Sequence, residues 1–285
     1  MMISPMSNQM IDLEQLESHF RENGWMVVKL PNPEPVYATR AALLKELRHL
    51  TGDRTITLED YHKVVKDKEV HTELHISLGK LFRKEQFGKK IISAQVDFFK
   101  ALLGRDLNVQ SDPYLRITRP GKPEDNIGYH RDTFYGCSAF ELSVLVPYVD
   151  VPVESTISIL PGSHIRPESD FPTTKVDNAE VEKGSDKHRI LGVPYAYNVI
   201  DPGCIVNMQP VPLKLGEAVI FSLATVHGSV ENRGQNCRWS SDIRVVNSLA
   251  LLQSSVKPGF YEQLSSSVVS EMANTYQKAQ LASLT

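Results

Sequence analysis

A histidine and an aspartate two residues apart, in Tyr129-His130-Arg131-Asp132-Thr133, form the first pair in this chain that can do chemistry together. In an extended strand residues i and i+2 share a face, so both side chains can reach one point. A distal histidine, His227, would complete a set of two imidazoles and one carboxylate. Such a set leaves three positions open on one side of an octahedral ion, room for a bidentate oxoacid and for dioxygen, and its donors suit Fe(II). Two histidines and a carboxylate can also hold Zn(II) for hydrolysis. A non-catalytic β-barrel that binds a small ligand or a structural metal is the other alternative.

The triplet is a short motif and a weak signal alone. The residues around His227 strengthen it. Gly216-Glu217-Ala218-Val219-Ile220-Phe221 reads as a turn entering an apolar strand, which runs on to His227-Gly228-Ser229. Arg238 follows on the next strand, and a buried guanidinium is what a two-point grip on a carboxylate requires. Along that strand Arg238, Ser240, Asp242 and Arg244 share one face, with Trp239, Ile243 and Val245 on the other. That alternation fits a wall with a polar ligand inside and helices outside.

These residues need a frame, and the periodicities supply one. Residues 1–105 read as helix-rich: a helix over Ile11–Asn23 stopped by Gly24, a strand at Trp25–Leu30, and helices over Tyr37–Leu50 and Lys89–Leu103. Beyond about residue 110, β-branched and aromatic runs alternate with Pro/Gly/Asn/Asp clusters, predicting strands at Tyr114–Thr118, Ile127–Phe134, Phe140–Val149, Thr156–Leu160, Ala218–Leu223 and Arg238–Val246. Short strands without long helices between them predict a sandwich or barrel. The expected fold is mainly β with flanking α-helices, in one domain over 1–285. Residues 1–105 pack on a barrel formed by 106–250, and 251–285 form a helical tail. The polar, Pro-containing stretch from His164 to Leu215 shows little periodicity; connections this long commonly serve a site, so a lid-like insertion at about 165–212 is expected to cover the barrel mouth.

Composition narrows the function classes. The net charge of −3, with 23% charged and 41% hydrophobic residues, is ordinary for a soluble globular chain and shows no basic footprint for nucleic acid. No lysine/arginine block marks a membrane surface, and no apolar stretch reaches transmembrane length. The N-terminus lacks the pattern of a signal peptide. Cys137, Cys204 and Cys237 contain no CxxC pair, which argues against a disulfide framework and for a cytoplasmic setting. A small-molecule substrate is the expected partner. Nothing in the pattern specifies an oligomeric state.

Taken together, Gln15–Val28, Tyr129–Asp132, Leu160-Pro161-Gly162-Ser163-His164 and the run from Gly216 through Arg238 resemble, in order and spacing, the phytanoyl-CoA dioxygenase family. That family is a branch of the Fe(II)- and 2-oxoglutarate-dependent oxygenases built on a double-stranded β-helix (jelly-roll, cupin-like) barrel. The resemblance implies Fe(2+) on His130, Asp132 and His227, and 2-oxoglutarate held through its far carboxylate by Arg238 with help from Ser229. It also implies that position 114 or 116 lines the same pocket, and that O2 is consumed with release of succinate and CO2. The implied outcome is oxidation, by default hydroxylation, of a C–H bond. The chain carries no acyl-CoA signature and no peroxisomal address, so the expected substrate is a small polar metabolite or natural-product intermediate.

Other suggestive residues are set aside. His71 and His75 sit four apart but do not form H-E-x-x-H, and their Lys/Glu-rich neighbours predict a solvated helix face. His164 reads as local hydrogen bonding in a turn. Cys137 and Cys237 read as small buried hydrophobes.

Overall fold

Strands rich in buried β-branched residues form the centre of the computed structural model, which describes residues 13–174, 197–229, 231–250 and 259–282. In chain order the elements are α1 (Leu13–Asn23), β1 (Trp25–Lys29), α2 (Glu34–Thr51), α3 (Tyr61–Val64), α4 (Lys68–Lys84), α5 (Phe87–Ser93), α6 (Val96–Leu103), β2 (Leu107–Gln110) and β3 (Tyr114–Thr118). They continue with β4 (Leu142–Pro147), β5 (Ser158–Ile159), α7 (Pro202–Val206), β6 (Gln209–Pro210), β7 (Glu217–Ser222), β8 (His227–Gly228), β9 (Arg238–Asn247), β10 (Tyr261–Ser265) and α8 (Val268–Ala282). A seven-stranded antiparallel sheet has the order β1-β7-β4-β9-β2-β10, with β3 also paired to β9; a three-stranded sheet has the order β6-β5-β8. The sheet-rich, helix-flanked class expected from the sequence is present. The strands pair as these two sheets, with no closed ring among the described residues.

The alternation along β9 places its two faces as read. Trp239 is fully buried away from the polar face, donating its indole N–H to the Leu58 carbonyl at 2.7 Å and meeting the Tyr61 ring edge-on at 5.3 Å. The helices therefore seal one side of the sheet and leave the polar face of β9 for a site.

Three expectations change. The helix over Lys89–Leu103 is two helices, α5 and α6, because the Gln95 side-chain amide pairs with both backbone groups of Asn32 and holds the chain out of helical register. The helical tail over 251–285 contains a strand: β10 pairs antiparallel with β2 before α8 begins. His71 and His75 do not lie on a solvated face. His71 is fully buried, its Nδ1 at 2.9 Å from the Tyr61 hydroxyl and its ring stacked on His75 at 5.9 Å, while His75 Nε2 meets the Leu115 carbonyl at 2.7 Å. Glu69, Glu73 and Lys80 do face solvent, but on the opposite side of α4. Burial pushes the pKa of His71 down to about 3, so it sits there as a neutral ring.

The expected lid at about 165–212 falls in large part on residues 175–196, which lie outside the described residues. Its flanks are described. Thr173 and Val199 form an antiparallel bridge, and Val199 donates its N–H to the Tyr129 carbonyl at 2.7 Å, so the returning chain runs beside the His130 segment. No helix among the described residues is long and apolar enough to cross a membrane.

Candidate metal centre

A two-residue strand and a single bridge bring the metal-ligating residue types together. His130 N–H donates to the His227 carbonyl at 2.8 Å and His227 N–H to the His130 carbonyl at 2.9 Å, which sets the two rings 4.5 Å apart. Gly228 permits that approach: a Cβ there would lie 2.4 Å from the Gly128 carbonyl oxygen. Gly228→Ala is therefore expected to pry the two histidine segments apart and weaken divalent-metal binding by ~10–100-fold, the size of effect seen when support for metal ligands is lost. Calorimetric titration with Ni(II) checks this, and an unchanged affinity would show that the segments are not held by this contact.

The predicted strand over Ile127–Phe134 is only partly present. Arg131 is extended, at φ −113° and ψ 142°, but Asp132 then opens a 3-10 turn over Asp132–Tyr135, with its N–H donated to the Leu223 carbonyl at 3.1 Å. The carboxylate still points at the histidines. His130 Nε2 lies 3.8 Å from Asp132 Oδ1 and His227 Nε2 lies 4.0 Å from Asp132 Oδ2, and the ligand atoms of all three residues fall within 4.8 Å of one another.

Both rings are set to offer Nε2. Nδ1 of His130 meets the Gly128 carbonyl at 2.7 Å and Nδ1 of His227 meets the Thr225 carbonyl at 2.9 Å. A carbonyl acceptor requires the proton on Nδ1, which leaves the Nε2 lone pair facing the carboxylate. Burial pushes the pKa of His130 down to about 3 and that of His227 below its usual value, keeping both rings neutral.

Arg131, which sequence reasoning passed over, ties this cluster to the rest of the chain. Its buried guanidinium donates to the carbonyls of Ser163 and Arg166 and stacks over Phe171 at 4.2 Å. Ser163 Oγ in turn accepts the N–H of Val226 at 2.8 Å. The Leu-Pro-Gly-Ser-His turn thus holds the segments on both sides of the site. His164 does not bond within its own turn as expected: its Nε2 meets the carbonyl of Arg21, far away in the chain, at 3.2 Å. Cys137 and Cys237 are buried and in no disulfide.

Arg238 lies on the polar face of β9 and is 3% exposed. Its Nη1 donates to the Ser155 carbonyl at 3.1 Å, and its Nη2 to Thr118 Oγ1 at 3.1 Å and Ser229 Oγ at 3.2 Å. Its Nε has no acceptor, and no carboxylate among the described residues lies within ion-pair distance. Burial without a counter-ion lowers its pKa to about 10. Ser229, brought against it, donates to Asn126 Oδ1 at 2.8 Å, a support with no signal in the sequence. One cavity of about 370 Å³ is lined by His130, Asp132, His227, Ser229 and Arg238 together, with Tyr114 and Arg116 both on its wall. Two further ion pairs face it: Arg116 with Asp242, and Arg244 Nη2 with Asp132 Oδ2 at 2.6 Å. The polar alternation of β9 pointed at Asp242 and Arg244, but their partners are set by strand packing.

Residues 20–240 match the phytanoyl-CoA dioxygenase (PhyH) family, and the chain belongs to it. Solved structures share the fold. The non-heme monooxygenase ThoJ, in its apo form, aligns with a TM-score of 0.54 at 18% identity, over 88% of this chain and 84% of that one. EvdO2 from Micromonospora carbonacea var. aurantiaca, complexed with 2-oxoglutarate, aligns with a TM-score of 0.51 at 16% identity, over 91% of this chain and 98% of that one. The non-heme alpha-ketoglutarate-dependent carbocyclase SnoK from nogalamycin biosynthesis aligns with a TM-score of 0.50 at 19% identity, over 90% of each chain. Among curated proteins no sequence matches.

Proposed function

We propose that this protein is an Fe(II)- and 2-oxoglutarate-dependent dioxygenase acting on a small molecule. The observation that carries the reading is a buried His130-Asp132-His227 cluster opening on the same cavity as Arg238, a buried guanidinium without a carboxylate partner. Two neutral imidazoles and one carboxylate fit divalent iron and leave a face for other ligands. Metal–ligand distances of about 2.0–2.3 Å would draw the three side chains slightly inward.

When bound, the metal with 2-oxoglutarate and O2 supplies the oxidising power, giving succinate, CO2 and an oxidised substrate. The chain's own residues do the rest. Arg238, braced by Thr118 and Ser229, pairs with the distal carboxylate of 2-oxoglutarate and sets its direction across the cavity. Phe221 packs against His227 at 4.5 Å and, with Tyr114, Phe134 and Tyr197, keeps bulk water from the metal side. Tyr197, the first described residue after position 196, lines the cavity. Hydroxylation of a C–H bond is the default outcome. Ring closure, named for SnoK, would need the same ligands and a differently placed substrate. A reducing, cytoplasmic setting accords with three buried cysteines that form no disulfide among the described residues.

The test is succinate production from 2-oxoglutarate by the purified chain under air. Turnover that requires Fe(II), is abolished by a chelator and is not restored by Zn(II) is the expected result. Failure of the Fe(II)-loaded protein to bind or decarboxylate 2-oxoglutarate would overturn the assignment. Hydrolytic activity restored by Zn(II) would replace it with a metallohydrolase.

A further inference from the structure

A second arginine on the cavity wall has hydrogen-bonding capacity left over. Arg244 lies on the same face of β9 as Arg238, three pleat repeats further along, and sits on the metal side of the cavity. Its Nη2 meets Asp132 Oδ2 at 2.6 Å, and its Nη1 is buried without an acceptor. Across the strand pair, in register with Arg244, β4 presents Ser143, which is fully buried. Its hydroxyl also has no partner, and it too lines the cavity. A buried polar group without a partner carries a desolvation penalty, and two such groups side by side on a cavity wall are the mark of a ligand contact. One is a cationic N–H and the other a hydroxyl that can donate. An oxyanion satisfies both, and a carboxylate offers them two oxygens at once.

We propose that Arg244 and Ser143 form a second carboxylate subsite, which takes the metal-proximal carboxylate of the keto acid while Arg238 takes the distal one. The inference rests on the function proposed above and adds to it a division of labour between two arginines of one strand. It also explains why a cation stands against a residue assigned to the metal. Next to Asp132, the charge of Arg244 opposes a divalent cation and favours an anion, by the same Coulomb term with opposite sign. The two ligands of the site should therefore respond to its removal in opposite directions.

The experiment is a calorimetric titration in two stages, Ni(II) into the metal-free protein and then 2-oxoglutarate into the Ni(II) form, which does not turn over. It is run on the wild type and on Arg244→Met, Arg244→Lys and Ser143→Ala. In Arg244→Met, Ni(II) affinity is expected to hold or rise while 2-oxoglutarate affinity falls at least ~10-fold, as befits a lost charge-assisted contact. Ser143→Ala should leave Ni(II) binding unchanged and weaken 2-oxoglutarate by ~5-fold or more, the size of one lost hydroxyl-to-carboxylate hydrogen bond. Arg244→Lys keeps the charge beside Asp132 but not the fork, so Ni(II) affinity should match the wild type and 2-oxoglutarate binding should weaken. Should Arg244→Met fail to fold, the other two variants decide.

Keto-acid affinity within twofold of wild type in the folded variants would overturn the subsite; that is also what a contact reserved for a carboxylate on the primary substrate would give. Parallel loss of Ni(II) and 2-oxoglutarate binding would overturn it too, since a merely structural role weakens both. A wild-type Ni(II) form that does not bind 2-oxoglutarate strikes the proposed function itself, and is distinguishable because no variant is needed to see it.

Discussion

Asp132→Ala is expected to lose at least ~100-fold in divalent-metal affinity and to bring succinate production to background. Loss of a residue that merely supports a metal ligand costs ~10–100-fold, and a ligand itself is worth more. The loss has a second cause particular to this chain. Removing the carboxylate leaves Arg244, now 2.6 Å from Asp132 Oδ2, as an uncompensated cation at the place where the metal must bind. Asp132→Asn separates the two contributions, because the amide keeps the shape and can still accept from Arg244 while losing the charge. Calorimetry with Ni(II) and a succinate assay with Fe(II) are the measurements. Metal affinity within a few-fold of wild type in both variants would remove Asp132 from the ligand set and with it the reading of the site.

The second large effect falls on the co-substrate alone. Arg238→Ala should raise the apparent constant for 2-oxoglutarate roughly 30-fold or more, since truncating one partner of a buried charge pair costs about 2–5 kcal/mol. Metal affinity should hardly change, because Arg238 touches Ser155, Thr118 and Ser229 and none of the three residues proposed to hold the metal. Arg233 is the control. It also follows His227, but its side chain is 76% exposed and pairs with Glu231 at 3.8 Å, so Arg233→Ala should leave the constant unchanged. An Arg238→Ala enzyme with normal 2-oxoglutarate dependence would mean that the distal carboxylate is held elsewhere.

Much of this site was legible because its chemistry is written in residue types and local spacing. The His-x-Asp triplet, the glycine after His227 and the alternation of β9 each report a short-range requirement: side chains on one face, a close backbone approach, a polar wall backed by Trp239. Local patterns failed where a distant partner overrode them. A helix-forming stretch broke at Gln95 because Asn32 offered its amide two backbone bonds, and the face of α4 carrying His71 was buried because Tyr61 and β3 took it.

The sequence by itself determined which groups could do chemistry and, along β9, on which face they stand, since strand alternation is a property of the local chain; Asp132 instead reaches the histidines from a 3-10 turn. Only the tertiary structure decided what each group meets. Arg131 clamps the Ser163 turn, Ser229 bridges Arg238 to Asn126, and Arg244 reaches Asp132 rather than solvent. Those partners come from other segments of the chain, and no local periodicity records which of them packing in the interior will bring within hydrogen-bond distance. The charge of β9's polar face was readable, but which groups stand against it depends on tertiary packing: sheet register sets Ser143 opposite Arg244, and the Asp132 turn brings a carboxylate to it.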